Sequence, residues 1–146
     1  MNRKLVLTGG FVAVLLVLAI GTSMTMLSGE ADRHGGIDWE SDVDAALTEA
    51  NETETPLLLY VWMDDCGACE DFGARLAEDR PAALDAYVLA ETDLGSESTA
   101  EQYGVSATPT LVVIAPDGTK VTTINPVAVD DLDERLDRAH ENASDP

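Results

Sequence analysis

The hydrophobic pattern divides the chain into one long apolar run and a series of short periodic ones. After Arg3 and Lys4 no charged residue occurs until Glu30, and Leu5 to Leu27 is mostly Leu, Val, Ala, Ile, Met and Gly. At 1.5 Å rise per residue a helix of that length spans a hydrocarbon core of roughly 30 Å. The basic residues precede the run and Glu30 and Asp32 follow it, so the positive-inside bias leaves Met1 in the cytoplasm and the remainder outside. A cleaved signal peptide shares this charge layout, and Ala19-Ile-Gly21 offers small residues for cleavage. The run exceeds the roughly 7 to 15 apolar residues of a signal peptide, which favours a retained anchor over residues 1–29 and a single-pass cell-membrane protein, with secretion after cleavage as the alternative.

Residues 30–37 carry Gly, charge and His34 without apolar periodicity and read as a linker, ahead of a folded domain over 38–142 and a tail over 143–146. Asp38 can cap a helix through Trp39, Val43, Ala46, Leu47 and Ala50, positions three and four apart. Leu57-Leu-Leu-Tyr-Val-Trp-Met63 is apolar throughout, as a central strand buried on both faces should be. Helical spacing returns from Cys66 to Glu78, breaks at Pro81, and resumes over Ala82–Ala86. Tyr87–Thr92 reads as a strand, Ser96–Tyr103 as a helix stopped by Gly104, and Thr110–Ala115 as a strand. Pro116-Asp-Gly118 then turns the chain so that Lys120–Ile124 can pair back, and Val129, Leu132, Leu136 and Ala139 mark a closing helix over Asp130–Glu141. Strands joined through helices imply parallel pairing, and the terminal hairpin adds an antiparallel edge. The expected architecture is α/β, a mixed sheet with helices on both faces.

Composition changes the picture in one respect. Everything after Gly29 holds 28 Asp and Glu against 6 Lys and Arg, so 6 − 28 = −22, and nucleic acid is an unsuitable partner. Such carboxylate density with only Lys4 and Lys120 as lysines resembles proteins of salt-loving microbes, which leads us to expect greater stability in molar salt.

Candidate chemistry lies in Trp62-Met-Asp-Asp-Cys66-Gly67-Ala68-Cys69, which holds both cysteines of the chain. A Cys-x-x-Cys pair admits a half zinc site, a structural disulfide, a redox dithiol or coincidence. Zinc needs two further ligands, and only His34 and His140 are on offer, both in segments that look solvent-exposed, so no metal or cofactor is expected. A bridge across two residues constrains the unfolded chain little, which makes stability a weak reason for it. A redox pair fits the position, because the motif follows an apolar strand and opens a helix. There the helix N-terminus favours a thiolate on Cys66, while Cys69 sits one turn inside. In that reading Cys66 attacks and Cys69 resolves the mixed disulfide.

This motif, with an apolar strand before it and Tyr103-Gly-Val-Ser-Ala-Thr108-Pro109-Thr-Leu-Val-Val after it, resembles the thioredoxin superfamily over about Asp38 to Glu141, especially membrane-tethered members that pass electrons outside the cell. The resemblance implies a three-layer α/β/α fold, a cis Thr108–Pro109 bond beside the sulfurs, and substrate pairing along the backbone at Thr108. The chain departs from the family at three positions: Tyr60 replaces the usual buried carboxylate, Asp65 the aromatic residue before the first cysteine, and Ala68 the proline inside the motif. Trp62 is expected to pack beside the site, and Tyr60 to be a core residue.

Asp64, Asp65, Glu70 and Asp71 oppose a thiolate at Cys66, which leans the expected chemistry toward reducing or isomerising disulfides rather than introducing them. The expected protein is a monomeric thiol–disulfide oxidoreductase acting on protein thiols and disulfides and reset by an electron donor or acceptor that the sequence does not identify. A client-binding or chaperone module with a permanently closed bridge is the competing reading. Asn51-Glu-Thr53 and Asn142-Ala-Ser144 match glycosylation sequons.

Overall fold

A computed structural model describes residues 32–95 and 97–145, and only the backbone of Glu97 and Ser98. The long apolar run and its cleavage point lie outside the described residues. Among the described residues no helix is long and apolar enough to cross a membrane.

The elements in chain order are α1 (Val43–Thr53), β1 (Leu57–Trp62), α2 (Gly67–Glu78), a short 3₁₀ turn (Ala82–Ala86), β2 (Val88–Asp93), α3 (Glu97–Gln102), β3 (Thr110–Ile114), β4 (Lys120–Ile124) and α4 (Leu132–Ser144). The strands form one sheet in the order β2-β1-β3-β4. As read from the apolar pattern, β1 is central and buried, and its alternating side chains feed two cores. Leu58 and Tyr60 join Phe72 and Leu76 of α2 and Leu136 of α4 on one face, whereas Leu57, Leu59 and Val61 join Ala46 and Ala50 of α1 and Tyr103 on the other. Alternation between two apolar layers is why the run shows no polar phase.

Two expectations are corrected. The first helix starts at Val43 and its N-cap is Asp42, whose carboxylate accepts the Ala45 N–H at 3.0 Å. Asp38 caps nothing there. Trp39 lies instead on an extended segment that bridges in parallel to β2 through Glu40 and Ala90, because a buried indole is better satisfied against Tyr60, 5.4 Å away, than on the first turn of a polar helix. The second correction concerns direction: only β1 and β2 are parallel, while β3 runs antiparallel to β1 with Tyr60 opposite Leu111. A six-residue α3 and the loop through Pro109 carry the chain over β1 and return it reversed. The hairpin forms as expected, with Gly118 at φ +86° and its N–H donated to the Ala115 carbonyl.

Candidate active site

Cys66 is the N-cap of α2 and Cys69 lies in its first turn; the two form a disulfide with an S–S distance of 2.08 Å and Cα atoms 5.2 Å apart. The Cys66 Sγ also accepts the Cys69 backbone N–H at 3.1 Å, so this sulfur takes the place of a capping oxygen and lies where the helix dipole favours negative charge. Cys66 is half-buried and Cys69 is fully buried. Gly67 and Ala68 between them are exposed, and the space around Gly67 is open, leaving an approach to Cys66 from solvent.

The Thr108–Pro109 bond is cis. Pro109 is buried, and the Thr108 hydroxyl donates to the Cys66 Sγ at 3.4 Å, so the chain 42 residues downstream forms the second wall of the site. These residues, far apart in sequence, converge as the resemblance to the thioredoxin superfamily implied.

The four carboxylates Asp64, Asp65, Glu70 and Asp71 are all exposed. Exposed charge is screened, with a Debye length near about 3 Å at 1 M salt, so the opposition to a thiolate is strongest in dilute buffer. Asp65 has a second role, since its φ of +56° is left-handed backbone that Asp and Asn adopt more readily than most side chains. That geometry gives a local reason for an acid where an aromatic residue is usual.

Tyr60 lies at the centre of one core, its hydroxyl donating to the Arg33 carbonyl at 3.2 Å. Burial pushes its phenol well above the ordinary tyrosine range, with Arg33 opposing that shift and Glu91 adding to it. Tyr60 therefore remains a protonated donor and cannot stand in for a carboxylate as a base toward Cys69. Trp62 is half-buried, with its indole Nε1 buried and without a protein partner.

Sequence reasoning gave no role to three residues at this end of the molecule: Arg33, His34 and Glu91. The segment read as a linker is folded from Asp32 onward and packed against the site. The His34 Nε2 lies against the Glu91 Oε2, their side chains 30% and 17% exposed, so His34 is not the solvent-exposed residue expected. Glu91 sits beside Tyr60 in the β1–β2 register, and a carboxylate within a strand-like apolar stretch was the available signal. His140 packs edge-on against Tyr87 at 5.3 Å. Among the described residues no group of three or more His, Cys, Asp or Glu is placed to hold a metal ion. Both sequon asparagines are exposed, and the Asn51 amide donates to the Pro116 carbonyl at 3.1 Å.

Comparison with known proteins defines the class. Residues 43–139 match the thioredoxin-like domain family, and the chain belongs to it. Among solved structures, the Trxlp of Edwardsiella tarda is 24% identical, covers 68% of this chain and 98% of its own, and superposes with a TM-score of 0.54. A thioredoxin from Thermus thermophilus is 21% identical over 70% of this chain and 85% of its own, with a TM-score of 0.57. Oxidised mitochondrial thioredoxin 3 from Saccharomyces cerevisiae is 20% identical over 73% and 98%, with a TM-score of 0.54. These likenesses establish the fold. A short stretch of 46 residues is also 35% identical to uracil-DNA glycosylase of Streptococcus sanguinis, covering 32% of this chain and 21% of that protein. The chain thus spans about a fifth of the length of that curated relative, and the match is too short to define a family. A half-buried sulfur bonded to a fully buried one at a helix start, beside a cis-proline in a thioredoxin-like domain, is the equipment of a thiol–disulfide oxidoreductase.

Proposed function

We propose that the protein is a membrane-anchored thiol–disulfide oxidoreductase whose domain faces away from the cytoplasm and which reduces or isomerises disulfides of protein substrates. The observation that carries the reading is the asymmetry of the pair: Cys66 is within reach of solvent and Cys69 is fully buried. In the reduced protein the Cys66 thiolate attacks a substrate disulfide, forming a Cys66–substrate bond and releasing one substrate thiolate. Cys69 then attacks the Cys66 sulfur, its thiol proton passing to solvent or to a released substrate thiolate, closing the Cys66–Cys69 bond and expelling the second substrate sulfur. Two electrons pass to the substrate, and an external dithiol returns them. The Thr108 hydroxyl, already directed at the Cys66 sulfur, is a donor for the thiolate, and the backbone there is the edge along which an extended substrate would pair. The lean toward reduction rests on Asp64, Asp65, Glu70 and Asp71 facing solvent around Cys66, and the anchor rests on the apolar run from Leu5 to Leu27.

Turnover of a disulfide-bonded protein such as insulin with dithiothreitol as donor tests the reading. Wild type should accelerate reduction, Cys66→Ser should abolish it, and Cys69→Ser should accumulate a mixed disulfide visible by mass. Wild type no faster than dithiothreitol alone would favour a binding module whose bridge does not cycle.

A further inference from the structure

The turn over Asp32–Gly36 takes no part in these exchange steps, yet it meets the elements that surround the disulfide. The Asp32 carboxylate accepts the N–H groups of His34 at 3.0 Å and Gly36 at 2.6 Å, closing the turn on itself. Gly35, at φ +63°, lies so near α2 that a Cβ there would fall 2.4 Å from the Leu76 Cβ. From the other side, a Cβ on Gly73 of α2 would fall 2.1 Å from the Asp32 carbonyl oxygen. Backbone therefore packs on backbone one turn beyond Cys69. Buried polar groups of the core end on this turn as well: the Tyr60 hydroxyl donates to the Arg33 carbonyl, the Trp39 indole donates to the His34 carbonyl at 3.2 Å, and Glu91 lies against the His34 ring. Its outer edge reaches the active-site loop. The Arg33 guanidinium lies 4.3 Å from the centre of the Trp62 ring, and its Nη1 is 2.9 Å from Asp64 Oδ1, two residues before Cys66.

We propose that this turn is a clamp on the redox site and that Arg33 is a positioning residue, acting through Trp62 and Asp64 to raise the reduction potential of the Cys66–Cys69 couple. The inference rests on the exchange reaction proposed above. Reduction breaks the S–S bond as two electrons and one proton enter, giving a thiolate on Cys66 and a thiol on Cys69. The new negative charge arises two residues from Asp64. A guanidinium held over Trp62 and bonded to Asp64 offsets that carboxylate and fixes the loop carrying it, so the charge arriving on Cys66 meets a weaker opposing field. Without Arg33 the acidic ring acts in full, and reduction becomes harder.

The test is redox equilibrium of the full-length chain against a dithiothreitol couple in dilute buffer, with insulin turnover measured on the same samples. Arg33→Gln should shift the equilibrium constant toward the disulfide by about threefold, which for a two-electron couple is roughly 14 mV more negative. Arg33→Lys, which keeps the charge, should recover at least half of that shift. Gly73→Ala leaves every charge in place and forces the turn off α2, and it should move the potential in the same direction and alter tryptophan emission. Folded Arg33→Gln protein with the wild-type potential would overturn the clamp, and should Gly73→Ala fail to fold, the Arg33 pair alone decides. Wild type that turns over while Arg33→Gln leaves the potential unchanged refutes the clamp and keeps the reaction. Wild type that opens its bridge without turnover refutes the reaction, and the Arg33 shift still decides the clamp.

Discussion

Single side chains at this site carry two obligations at once, one to the backbone and one to the sulfurs. Asp65 occupies a left-handed position and also adds negative charge beside Cys66. Asp65→Asn separates these, because Asn accepts the same backbone and removes only the charge. The variant should fold normally and shift the redox equilibrium toward the dithiol in dilute buffer, by an amount that shrinks in 2 M salt; an identical potential to wild type in dilute buffer would show that the charge has no influence. Tyr60 serves the core and the clamp. Tyr60→Phe removes its bond to the Arg33 carbonyl and should cost about 1 kcal/mol in denaturant unfolding. Its titration also has a definite sign: burial raises the phenol of Tyr60 and of Tyr87 above the ordinary value of 10.0, so the folded chain holds protons that the unfolded chain releases. Stability from both residues is complete below about pH 10 and declines as pH rises beyond it. Tyr60→Phe should flatten that alkaline decline, and an unchanged slope would contradict the account of a buried, neutral phenol.

Elements differ in how far their sequences announced them. The run Leu57–Met63 declared β1, because burial on both faces leaves no polar phase, and Cys66–Cys69 stood out as candidate chemistry because they are both cysteines of the chain at a two-residue spacing, whereas Thr108–Pro109 joined them only through the family resemblance. Strand direction was a different matter. Periodicity reports that Thr110–Ile114 is a strand, but antiparallel pairing with β1 follows from how a short α3 and the loop after it return the chain, which no local pattern encodes. The Asp32–Gly36 turn was read as linker for a related reason: glycine and charge are the composition of loose chain, whereas its fixity comes from Gly35 and Gly73 permitting two backbones to touch. Gly73→Ala should therefore lower stability, the reverse of the roughly 0.5–1 kcal/mol gain that Gly→Ala brings at an open helix position, since the methyl group meets main chain that cannot rotate away. Equal unfolding midpoints for Gly73→Ala and wild type would mean the contact with Asp32 is not maintained in solution. Within the core, Leu58→Ala should cost about 2–5 kcal/mol, for Leu58 is fully buried between α2, α4 and the sheet.

At the scale of the whole molecule, charge and topology frame what the site can do. A net charge of −20 at pH 7 repels itself in dilute buffer, and screening relieves that repulsion. The unfolding midpoint should rise between 0.1 M and 2 M sodium chloride, and a midpoint indifferent to salt would remove the basis for assigning the protein to a saline setting. The same screening acts on the ring of acids around Cys66, so potential and stability should both respond to salt. The central claim is that Cys66 and Cys69 form a cycling couple tuned toward reduction. Its most direct test is the equilibrium reduction potential of the protein in dilute buffer, where the acids act unscreened, set against glutathione and dithiothreitol couples. The account predicts a value near or below about −220 mV; a value near about −120 mV, the range of strong oxidants, would contradict it.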